Sequence, residues 1–110
     1  MRTKSVSTWL LLWVGLAMAG AACAQEGNAE AGREKAATCL GCHGVPTYSN
    51  VYPTYHVPKL GGQHAQYIVS ALKAYKAGKR GHSTMHAQAA TLSEQDMVDI
   101  AAYFASVPRD

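Results

Sequence analysis

The chain has 110 residues, with ten Lys and Arg against seven Asp and Glu for a formal net charge of +3. That length bounds it to one small domain. It contains no Lys/Arg run that would mark a nucleic-acid surface, no internal repeat and no low-complexity segment.

The first residues read as an export signal. Arg2 and Lys4 form a short basic region, residues 9–19 form an apolar stretch rich in leucine, and small residues lead to Ala22-Cys23-Ala24. This is the small-x-small pattern at which a signal peptidase cuts. Cleavage after Ala24 divides the chain into a signal peptide, residues 1–24, and a mature domain, residues 25–110. As a retained anchor the apolar run is short, since a bilayer span needs about 20 such residues, so no membrane span is expected after cleavage. Cys23 leaves with the signal on this reading. A lipidated Cys23 is the alternative, disfavoured because Gly20 stands where a larger aliphatic residue is usual. Loss of Arg2 and Lys4 lowers the charge excess to +1, so the basic balance of the precursor says nothing about the mature surface.

Asn28 is an N-cap candidate for a first helix carrying Ala29, Ala31, Ala36 and Ala37 and running to Cys39. Gly32, inside it, would allow another helix to approach closely. The helix leads into Cys39-Leu40-Gly41-Cys42-His43, the attachment motif of c-type haem. Two thiols at this spacing each form a thioether to a haem vinyl group, and the next residue delivers an imidazole to one face of the iron. Rival uses of a Cys-x-x-Cys pair fit less well. No cysteine follows Cys42, so a Cys₄ zinc site is impossible. No upstream strand gives a thioredoxin-like dithiol its βαβ context, and a plain disulfide leaves His43 without a role. Export and the motif support each other, because c-type haem is attached in bacteria on the far side of the membrane.

A loop bearing glycine, proline and tyrosine follows over residues 44–62. A second helix is expected from near Gln63 to Gly78, with Tyr67, Ile68, Ala71, Leu72 and Tyr75 as its apolar face. The last helix starts at Ser93, with Asp96 three residues on as a capping-box partner and Leu92 and Met97 as the hydrophobic staple. Glu94, Asp96 and Asp99 place negative charge near the positive end of its dipole. Met97, Ile100, Ala101, Phe104 and Val107 form its inward stripe, and Pro108 ends it. No sustained period-two pattern occurs, so the fold class is all-α, with three main helices packed around one covalently attached haem. A domain this small gains from such a cross-linked apolar body.

His43 fills one axial position on the iron. Of the mature chain's two methionines, Met97 belongs to the inward stripe as a core filler. Met85 lies between the second and last helices, in a stretch read as a loop that wraps across the opposite haem face. Met85 is therefore the expected sixth ligand, with His82, His86, His56 and His64 as bis-histidine rivals. A thioether favours ferrous iron and raises the reduction potential.

Four features together resemble a class I c-type cytochrome: Cys39 through Gly44, Pro58-Lys59-Leu60-Gly61-Gly62-Gln63-His64, Met85, and the helix through Ile100-Ala101-Ala102-Tyr103-Phe104. The likeness, over residues 26–107, is to the small bacterial monohaem type, whose domain also occurs duplicated in dihaem cytochromes. The resemblance implies thioethers at Cys39 and Cys42, and axial ligation by His43 and Met85. It also implies that the Pro58 carbonyl accepts the Nδ1–H of His43, and that Gly32 meets the last helix near Tyr103 and Phe104. Residues 45–57 depart from the family's shortest forms, with Tyr48, Tyr52 and Tyr55 clustered. They read as a surface loop whose tyrosines pack locally, with cover for a haem edge or a docking surface as alternatives.

The function this implies is that of a periplasmic single-electron carrier, not an enzyme, cycling one haem c between Fe(II) and Fe(III). Its partners are transient redox proteins, met through brief contacts with little long-range steering, and not nucleic acid. A haem peroxidase or gas sensor with a labile sixth ligand is the alternative, as is a haem subunit held in a larger oxidoreductase.

Overall fold

A computed structural model describes residues 25–109. The expected signal peptide, residues 1–24, lies outside the described residues. Asn28 caps the first helix as its chemistry predicts, its Oδ1 accepting from the backbone N–H groups of Glu30 and Ala31 at 3.0 Å each. The helix does not run unbroken to Cys39. Helix α1 spans Ala29–Lys35 and α2 spans Ala37–His43, joined at the buried Ala36, whose ψ of 2° departs from helical geometry. Backbone bonding nevertheless continues across the joint, from Ala36 N–H to Gly32 O at 2.8 Å and from Leu40 N–H to Ala36 O at 3.0 Å. The junction is therefore a local departure from helical geometry at one residue, across which the hydrogen bonding is kept.

The tyrosine segment holds a short antiparallel hairpin that the sequence reading did not anticipate. Strand β1, Ser49–Val51, pairs with β2, Thr54–His56, in the register Ser49 to His56, Asn50 to Tyr55 and Val51 to Thr54. Three-residue strands are too short to show alternation, and the dominant class is unaffected: the remaining elements among the described residues are helices.

Helix α3, Ala65–Lys76, buries Ile68 and Leu72 and ends before Gly78, whose φ of +69° is the left-handed geometry that closes a helix. Tyr67, expected on the apolar face, is 49 % exposed. Its hydroxyl accepts from Arg80 Nη1 at 3.3 Å, a polar contact that holds it at the surface.

Met85 is not in a loop. It lies on α4, Ser83–Ala90, a fourth main helical element where three were expected.

Helix α5, Glu94–Ser106, forms the full capping box with Ser93 and Asp96, and buries Met97, Ile100, Ala101 and Phe104. Its staple residue Leu92 packs on the same core. Helix α1 crosses α5 at Gly32, where a Cβ would lie 1.9 Å from the Asp99 carbonyl oxygen and 3.0 Å from Tyr103 Cβ. Only glycine permits that approach. Asp99 is 3 % exposed and does more than complement the helix dipole. Its Oδ1 accepts from Asn28 N–H at 2.8 Å and Gln95 Nε2 at 2.7 Å, and its Oδ2 from Lys35 Nζ at 2.6 Å. At the other end of α5, Gly62 N–H donates to Phe104 O at 2.9 Å, and Arg109 Nη2 donates to Gly62 O at 3.2 Å. These bonds dock the segment leading from Pro58 against the end of the last helix.

Candidate functional site

Cys39, Cys42 and His43 all stand on α2, so this one short helix presents them as one unit. Neither cysteine is in a disulfide; Cys39 is half-buried and Cys42 exposed. Residues three apart on a helix lie on one face, which puts both thiols on the same side. Burial pushes the Cys39 thiol up, so it stays protonated at neutral pH.

His43 is oriented from outside its helix. Its Nδ1 lies 2.7 Å from the Pro58 carbonyl oxygen, and a carbonyl only accepts, so Nδ1 carries the proton. Nε2 is then left with a free lone pair, the state a metal-ligating imidazole requires. A cavity of about 460 Å³ opens beside His43, lined in part by Leu40, Leu60, Phe104 and Val107, and by the charged Lys59 and Arg109.

Met85 is half-buried and packs, with Cys39, Leu40 and Leu60, against the buried core. Cys39, Cys42 and His43 thus come together on α2, while Met85 comes from a separate element bordering the same core. The rival histidines are placed differently. His56 Nδ1 pairs with Ser49 Oγ at 2.6 Å across the hairpin, and His64 is exposed at the start of α3. His86 Nδ1 donates to Tyr75 O at 2.7 Å. His82 caps α4, its Nδ1 accepting from the Met85 backbone N–H at 3.3 Å. That cap escaped the sequence reading because histidine is not among the preferred N-cap residues. The half-buried Tyr55 packs edge-on to His82, whereas Tyr52 is 95 % exposed; the tyrosines of the hairpin do not form one local cluster.

The donor set fits a covalently held haem. Two unpaired thiols sit one helical turn apart, the next residue offers an imidazole with free Nε2, and a cavity with apolar and charged walls adjoins it.

Comparison with known proteins agrees with that chemistry. The family profile described as Cytochrome c matches residues 29–108. The chain is 45 % identical over 98 residues to cytochrome c4 of Pseudomonas aeruginosa, covering 88 % of this chain and 45 % of that protein. It is 41 % identical over 90 residues to cytochrome c4 of Thiocapsa roseopersicina, covering 81 % of this chain and 45 % of that one. It is 42 % identical over 83 residues to cytochrome c-554(548) of Halomonas halodenitrificans, covering 73 % of this chain and 96 % of that one. The chain therefore spans about half the length of the cytochrome c4 relatives it matches and nearly the whole of the cytochrome c-554(548). A profile match across most of the chain, and a relative matched almost end to end, place this haem-motif protein in the cytochrome c family.

Proposed function

We propose that the chain is exported, cut after Ala24, and works in the periplasm as a single-electron carrier holding one haem c with His43 and Met85 as axial ligands. The observation that carries this reading is the 2.7 Å bond from His43 Nδ1 to the Pro58 carbonyl, directly after the thiols of Cys39 and Cys42. It prepares one imidazole, in one tautomer, for iron. Cys39 and Cys42 hold the cofactor through thioethers. The bound haem supplies the one-electron couple. Leu40 and Leu60 give the His43 side part of its apolar lining, and a thioether ligand raises the potential. Among the described residues no helix is long and apolar enough to cross a membrane.

An electron carrier needs both axial positions filled, whereas a peroxidase or gas sensor needs one open and hydrogen-bond donors aimed at it. His86, the residue that would favour that alternative, directs its Nδ1–H to Tyr75 O.

The test is the absorption spectrum of exported protein, oxidised and reduced, for wild type and Met85→Ala, with the intact mass of each. A mass of residues 25–110 plus one haem is expected. A weak far-red band in the ferric wild type, lost in Met85→Ala along with a drop in potential, supports His/Met ligation. Absence of the band from both proteins overturns it.

A further inference from the structure

We infer that His82 is a positioning residue for Met85 and that the tyrosine hairpin is the strap that holds His82 in place. The inference rests on the axial role proposed above for Met85.

Helix α4 begins with an unusual cap. Ser83 and Thr84, both ordinary capping residues, lie inside the helix, and the N-cap is His82, with an extended φ of −167°. Its Nδ1 accepts the backbone N–H of Met85 itself, so the ring proton sits on Nε2. Met85 is the third residue of the helix, within the first turn, which frays when its N–H groups lose their acceptor.

The ring that provides this acceptor is held from two sides. Tyr55, on β2, meets it edge-on with ring centroids 4.7 Å apart and an interplanar angle of 81°. Tyr75, on α3, meets it at 6.3 Å and 77°. Edge-to-face pairs at such separations are favourable beyond simple burial. One turn further on, His86 Nδ1 donates to the Tyr75 carbonyl oxygen at 2.7 Å, and His86 N–H donates to His82 O at 2.8 Å. Arg80 lies over the Tyr75 ring, 4.8 Å from its centroid. The turn bearing Met85 is thus tied to Tyr75 on both sides, and through His82 to a hairpin whose tip, Val51 and Tyr52, is 79 % and 95 % exposed. The half-buried Tyr55 of the hairpin thus acts on the helix that carries the sixth ligand.

An iron–thioether bond is weak enough for added imidazole to compete with it, so competition measures how well Met85 is held. Ferric holoprotein is titrated with imidazole while the far-red band is followed, for wild type, His82→Ala, His82→Asn, Tyr55→Ala and Tyr55→Phe. Loss of an N-cap should raise the apparent imidazole affinity of His82→Ala roughly five-fold and lower the reduction potential. Asparagine, a strong cap through its side-chain oxygen, should restore both. Tyr55→Ala should shift in the same direction, and Tyr55→Phe, which keeps the ring edge, should match wild type. Unchanged imidazole affinity in His82→Ala, with the band present in wild type, overturns the inference and leaves the ligation intact. So does failure of His82→Asn to improve on His82→Ala. A wild type without the band overturns the ligation, and this inference with it.

Discussion

Asp99 is the polar residue on which the helix crossing turns. Its buried carboxylate is held below the usual range, first by the Asn28 backbone N–H and then by the Lys35 ammonium. Asp96 is lowered too, mainly by Lys35 at 2.9 Å and then by Ser93. Lys35 is raised in return, first by Asp99 and then by Asp96. A depressed carboxylate stabilises the fold fully above its unfolded pKa of about 4, and that contribution is lost as the pH falls toward the folded value. A raised lysine has the opposite sign: its contribution is present below its ordinary pKa and is lost as the pH climbs through the raised one. Melting temperature should therefore fall on both sides of a neutral plateau. Lys35 and Asp96 are about one-third exposed and screened by solvent, while Asp99 is buried, so both carboxylates contribute on the acid side. Thermal melts of Asp99→Asn at pH 7 should drop by roughly 5–10 °C, with a shallower fall between pH 5 and 3 than wild type. An equally steep acid fall in the variant would move the effect to other carboxylates.

At the scale of elements, the crossing of α1 over α5 depends on a missing side chain. Gly32→Ala gains up to about 1 kcal/mol of helix propensity. Against this, its Cβ falls 1.9 Å from the Asp99 carbonyl oxygen, a backbone atom that moves only if the helices part. Overpacking of this kind costs roughly 1–3 kcal/mol, so the clash outweighs the propensity. Parting the helices also lengthens the bonds from Asn28 and Lys35 to Asp99. Denaturant unfolding of Gly32→Ala should show a lower midpoint, and a midpoint above wild type would mean that the crossing tolerates separation. The break at Ala36 belongs to the same scale: α1 serves the crossing and α2 carries the cysteines.

For the molecule as a whole, the described residues bury eight apolar side chains, three of them alanines. So thin a core leaves a domain of this size near the limit of independent stability. The cavity beside His43 is walled in part by Leu40 and Leu60, which are only half-buried and need a partner to complete their burial. The Cys39→Ala/Cys42→Ala variant, unable to hold haem covalently, should lose at least about half of the wild-type helical circular dichroism at 37 °C. A helical signal equal to wild type would show that the small core suffices alone.

Chemistry carried by neighbouring residues was legible in the sequence. Cys39, Cys42 and His43 fall within five consecutive residues, and their spacing is itself the chemistry. The caps at Asn28 and Ser93 and the inward Met97 follow from hydrogen bonds and periodicity within one or two turns. The resemblance to a known family supplied the Pro58 bond, which no local pattern contains. The helix around Met85 escaped because its cap is a histidine and its stretch, Ser-Thr-Met-His-Ala-Gln-Ala-Ala, has no clear apolar face. The hairpin escaped because its strands are three residues long. The sequence alone determined the grouping of Cys39, Cys42 and His43, because those residues are close along the chain. Only the tertiary structure decided how they are held. Tyr55 and His82, like Asn28 and Asp99, are distant in sequence and meet only after the elements have packed.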